Sequence, residues 1–251
     1  MKFYSSVTIF LSLLIILTLT STIEAQNELE DGKELFLTAR SNFYNNQQDF
    51  STTITTLEES QDYFSQSSTD FSKFYWQAQA KFVIAEIYES KEKPRKAAQS
   101  FNRSESLIKK ALRKKETSDA LRLLADCYMR QMDYKGQLYK MTHGPKSLQL
   151  LKKSIELNSA NYTAYNSLGT YYINAPKIGG GDINQGIKML KKALASTNQF
   201  DNFITYQWLG IAYNKQNNTE QALNHINHAL EIYPNSNWAK EKLEQFRNEV
   251  D

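Results

Sequence analysis

Hydrophobic positions along most of this chain recur every three or four residues, the spacing of an amphipathic helix. The cleanest run lies near the C-terminus, where Tyr206, Leu209, Gly210 and Tyr213 are followed by Ala222, Ile226, Ala229 and Pro234. It predicts two short helices, each carrying small residues where the other must approach. Gly210 to Ala222 is a step of twelve, and the same step separates Ala85 from Ala97, flanked by Ile84, Tyr88, Phe101 and Ser104. Two copies between these are stretched. Leu121, Leu124, Ala125 and Tyr128 are answered by Ser147, Leu151 and Ser154 at a step of twenty-two. Tyr165, Leu168, Gly169 and Tyr172 are answered by Gly186, Leu190 and Ala193 at a step of seventeen. The spacing thus predicts ten residues added between the helices of one pair and five in the next.

Both ends depart from this pattern. Residues 28–65 read as a further helix pair, with Leu35, Phe36, Ala39, Phe43 and Tyr44 before a polar break at Asn45-Asn46 and Ile54, Leu57 and Phe64 after it. Ser65 to Asp70 reads as a connector with Asp70 as a candidate N-cap. Asn235-Ser236-Asn237 opens a last helix through Trp238, Leu243 and Phe246, apolar on one side and charged on the other, suited to cover the end of a stack. At the N-terminus, Lys2, the apolar run Val7 to Leu19 and the segment ending at Ala25 predict a secretory leader cleaved after Ala25. A retained membrane anchor over 5–23 is the other reading. The expected division is a leader over 1–25, a degenerate hairpin and connector over 26–70, repeats over 71–234 and a capping helix over 235–251.

The copies over residues 78–234 resemble the tetratricopeptide repeat. That resemblance implies an all-α, right-handed superhelical solenoid of helix-turn-helix repeats with a C-terminal capping helix. It also implies a protein or peptide ligand on an inner face lined by each repeat's first helix. The matching inner positions are Phe82, Arg122, Asn166 and Gln207 in one row and Glu86, Asp126, Thr170 and Ile211 in the other. Some family members grip a peptide carboxylate with Lys and Asn there; the two acids would repel one, so no such clamp is expected.

Composition narrows the field further. Of 251 residues, 41% are apolar and 23% charged, with 4 Pro and 9 Gly, too few for a turn-rich all-β fold. A net charge of +3 gives no argument for nucleic acid, and no stable membrane insertion is expected once the leader is removed. The single Cys127 cannot form an intramolecular disulfide and sits beside Tyr128 in a helical pattern, so burial is expected.

The two insertions are the sharper lead, because equivalent turns of a stacked solenoid line one edge. The first offers Tyr134, Tyr139, Lys140, His143 and Lys146, and the second Lys177 before Gly179-Gly180-Gly181-Asp182. Together they predict a docking edge rich in Lys and Tyr. The glycines follow no strand and precede no Gly-Lys-Ser/Thr, so they read as a turn with Asp182 capping the next helix. His225 and His228 lack further ligands, so no metal, cofactor or catalytic residue is expected. The reading is an exported, periplasmic or secreted, non-enzymatic scaffold for a protein or peptide. The alternative is a periplasmic accessory that partners a solute-binding protein of a transporter.

Overall fold

The structure is a computed structural model that describes residues 25–67 and 69–249. The expected leader lies outside the described residues except for Ala25, which is already helical. Eleven α-helices follow among the described residues. The first six are α1 (25–44), α2 (Phe50–Ser65), α3 (Asp70–Ser90), α4 (Pro94–Lys114), α5 (Ser118–Gln131) and α6 (Gln137–Leu157). Then come α7 (Tyr162–Asn174), α8 (Ile183–Ala193), α9 (Gln199–Lys215), α10 (Thr219–Ile232) and α11 (Asn237–Asn248). Consecutive helices pair as hairpins and the hairpins stack in sequence, an all-α solenoid in which α11 covers α10.

Short polar side chains set where helices begin. Asp49, Thr69, Thr117, Asn161, Asp182, Asn198, Asn218 and Ser236 each accept from a backbone N–H in the first turn of the helix they precede. Each such cap is worth about 1 kcal/mol. The cap of α3 is Thr69, in extended conformation, and not Asp70, which belongs to the first helical turn. Pro94 starts α4 at a position where no N–H is needed.

The small residues of the repeat mark close crossings, as their spacing predicts. A Cβ built on Gly210 would lie 2.7 Å from Ile226 side-chain carbons and 3.2 Å from the Ala222 carbonyl oxygen. Ala85 and Ala97, one step apart in the other twelve-residue pair, are both fully buried. The backbones therefore approach closely at Gly210, where a larger residue would separate the helices.

The first insertion differs from expectation. It is not an enlarged loop: only Met132 to Gly136 separate α5 from α6, and the remainder lengthens α6 at its N-terminal end. Gly144-Pro145 does not break this helix. Thr142 Oγ1 donates to the carbonyls of Leu138 (2.9 Å) and Tyr139 (3.1 Å), and the His143 ring stacks on Tyr139 at 3.7 Å, clamping the turn before the proline. The second insertion is a true turn. It contains a 3-10 segment (Lys177–Gly179), a left-handed Gly180 at φ 84°, and Asp182 accepting from the N–H groups of Asn184 and Gln185.

The path of α1 was not legible in the repeat pattern. Its middle packs Phe36 and Ala39 against Leu57, Phe64, Val83, Ile84 and Ile87 of α2 and α3. Its C-terminal end reaches the last hairpin. Tyr44 packs edge-on to Phe200 at 5.0 Å and Phe203 at 5.9 Å, and the Arg40 guanidinium lies 3.9 Å from the Phe200 ring centre. Ser41 Oγ donates to Tyr233 OH at 3.2 Å, and the N–H of Asn235 donates to Asn45 Oδ1 at 2.9 Å. The first and last hairpins thus meet across the inner side of the array.

Candidate binding surfaces

The inner positions are brought together, but as an interior. Tyr44 OH donates to Glu86 Oε2 at 2.8 Å, and burial raises the Glu86 carboxyl above its ordinary pKa. Arg122 Nη1 lies 2.8 Å from Asp126 Oδ2, with both side chains at most 14% exposed. Asn166 Nδ2 donates to Thr205 Oγ1 at 2.8 Å. Gln207 is fully buried, and neither its amide nitrogen nor its oxygen has a partner among the described residues; the Thr170 hydroxyl is likewise unpartnered. Phe82 packs edge-on to Phe101 at 5.2 Å, and Ile211 joins the core around α9 and α10, so neither lines an open groove. Arg40 completes this interior from α1, its guanidinium pKa lowered by burial against Phe200.

The edge residues separate into three settings. Tyr134 walls an open cleft of about 540 Å³ that it shares with Glu89, Glu92, Pro94, Arg130 and Asp133. There its OH donates to Glu89 Oε1 at 2.5 Å, while Glu89 also pairs with Arg130. The carboxylates of Glu92 and Asp133, both exposed, have no ion-pair partner among the described residues. Tyr139 and His143 form an inward stack with Tyr128 at their edge; burial raises the Tyr139 phenol pKa and lowers that of His143. Lys140 and Lys146 are exposed on α6. Lys177 lies in the turn that walls a second cleft of about 340 Å³, lined chiefly by Pro145, Leu148, Tyr171 and Ile178. Tyr171 OH fastens that turn by donating to the Gly179 carbonyl at 2.7 Å.

The sequence pattern did not point to Glu89, Glu92 and Pro94. They flank an ordinary short turn, which has no inserted residues to mark it. The signal available was that all turns within hairpins share an edge, so residues 91–93 face the same side as Tyr134.

The cysteine and the two histidines of α10 each have neighbours within the chain. Cys127 is fully buried with Sγ 3.3 Å from Ser104 Oγ, and burial pushes its thiol pKa well up. His225 stacks on Tyr213 at 5.3 Å, and His228 pairs with Glu231 at 2.9 Å. Among the described residues no three His, Cys, Asp or Glu side chains are placed to hold a metal ion.

No family model and no curated protein matches the chain. Solved structures do. TTC0263, a thermophilic tetratricopeptide-repeat protein of Thermus thermophilus, superposes with a TM-score of 0.57 at 17% identity, covering 88% of this chain and 98% of that one. A monomeric mutant of IFIT1 with m7Gppp-AAAA superposes with a TM-score of 0.51 at 15% identity, covering 90% of this chain and 58% of that one. At these identities the likeness is one of fold: a tetratricopeptide-like repeat solenoid.

Proposed function

We propose that this chain is an exported, non-enzymatic repeat scaffold that binds a protein partner along the edge formed by the turns within its hairpins, centred on the Tyr134 cleft. The observation that carries this reading is the contrast between the two candidate surfaces. The inner rows are mostly buried or paired within the chain, with Tyr44 of α1 on Glu86, whereas the Tyr134 cleft is open, walled by Tyr134 and Pro94, and holds two carboxylates without ion-pair partners among the described residues. Its chemistry suits a partner segment with a Lys or Arg side chain, which would pair with Glu92 or Asp133 while its aliphatic stem lies along the Tyr134 ring. Export rests on the apolar run and small-residue site ending at Ala25.

In-cell crosslinking of the full chain, beside a variant carrying Glu92→Lys, Asp133→Lys and Tyr134→Ala, tests this. One dominant protein captured by the wild type and lost from the variant is the expected outcome. Retention of that partner by the variant refutes the cleft as the site. A solute-binding protein as the captured partner would make the chain a transport accessory.

A further inference from the structure

Charge in this molecule sorts by helix layer. In the central hairpins the second helices are basic: α4 carries seven Lys or Arg against one Glu, α6 four Lys against one Glu, and α8 three Lys and no acid. The first helices are not. There are two basic and three acidic residues on α3, two of each on α5, none on α7 and one of each on α9. Of the fourteen cations on α4, α6 and α8, only Lys109, Lys114 and Lys153 have ion-pair partners among the described residues. The others, including Arg103, Lys152 and Lys188, are exposed. A net charge of +3 therefore conceals a broad cationic face.

The composition of that face indicates what it meets. Eleven of its fourteen cations are Lys, a residue depleted from protein interfaces and lacking the planar fork with which Arg reads bases. Among the described residues, no exposed aromatic ring lies on these helices to stack a nucleobase. Aliphatic tips stand there instead. Leu138 is 76% exposed, Met141 67%, and Ile178, on the turn beside α6, 99%. Lys140, Lys146 and Lys177 accompany them on the same helix and turn. Long-stemmed lysines beside protruding aliphatic groups match an anionic lipid surface, where the field is diffuse and the headgroup layer accepts apolar side chains.

We propose that the outer face of α4, α6 and α8 docks on a bilayer rich in anionic phospholipid, with Leu138, Met141 and Ile178 entering the headgroup layer. The contact is peripheral, since no helix among the described residues is long and apolar enough to cross a membrane. It is independent of the Tyr134 cleft.

Co-sedimentation of the full chain with phosphatidylcholine vesicles, with and without phosphatidylglycerol, is the test. Binding should require phosphatidylglycerol and weaken as salt rises. Arg103→Glu with Lys152→Glu and Lys188→Glu should cut it by about tenfold or more. Leu138→Asp with Ile178→Asp should cut it several-fold, with melting temperatures unchanged in both variants. Equal retention on neutral vesicles, which the apolar N-terminal run alone would give, overturns the proposal. So do retention insensitive to the three charge reversals and tighter binding to polyglutamate or RNA than to vesicles.

Discussion

On the inner layer, Arg122 meets Asp126 at 2.8 Å and Tyr44 donates to Glu86, so ionisable groups face one another under α1. On the outer layer, Arg103, Lys152 and Lys188 face solvent with no acid at ion-pair distance among the described residues. Both layers are written in the same repeats, yet their charges act differently. Inner charges are paired or hydrogen-bonded away from water, and removing one side of the Arg122–Asp126 pair strands the other. Arg103, Lys152 and Lys188 make no ion pair among the described residues and are available to act on something else.

The sharpest way to break this comparison is Arg122→Ala. It leaves the Asp126 carboxylate buried without its cation and should lower stability by about 3 kcal/mol in urea denaturation. Tyr44→Ala removes a ring packed between Phe200, Phe203 and Glu86 and should cost about 2 kcal/mol. Hydrogen exchange should then quicken in α9–α11 before it quickens in α4–α6. If exchange instead rises only in α1 and α2, the end-to-end contact contributes no stability to the last hairpin.

Glu86→Gln sharpens the comparison through pH. Burial raises the folded-state pKa of Glu86 above its unfolded value, so the folded chain holds this proton more readily. The penalty for burying the carboxylate is full above the folded pKa and fades as pH falls toward the unfolded value of about 4.3. Glutamine keeps an acceptor for Tyr44 and carries no charge. The variant should therefore melt higher than wild type at about pH 7, with the gain gone near pH 4. A gain that persists at the lower pH would trace the effect to packing. The smallest effect belongs to the outer layer: Arg103→Glu, Lys152→Glu and Lys188→Glu together should change stability by no more than about 0.5 kcal/mol.

The helix pairs were legible because Gly210, Ala222, Ala85 and Ala97 mark close crossings at a fixed step, and such crossings are local. The capping helix was legible from Ser236 and the one-sided apolar pattern after it. The passage of α1 to the last hairpin was not, because Arg40 and Tyr44 look like ordinary members of an amphipathic helix. Their partners Phe200 and Phe203 lie far along the chain, where no periodicity connects them. The lengthened α6 was hidden because the step from Ala125 to Ser147 counts added residues without saying whether they enlarge a loop or extend a helix; Thr142 and the Tyr139–His143 stack support the extension. The basic face escaped for an arithmetic reason. Net charge sums over helices, whereas a surface is sorted by which helix of each pair faces outward.

An open solenoid behaves as a spring, because small adjustments at every stacked repeat add up to a large extension. The link from Asn45 and Ser41 to Asn235 and Tyr233 bypasses that spring. Tension applied between the first and last hairpins would load this clasp before it uncoiled the repeats. The array would then respond as a latch, stiff until Tyr44 leaves its aromatic slot and compliant along its whole length afterwards.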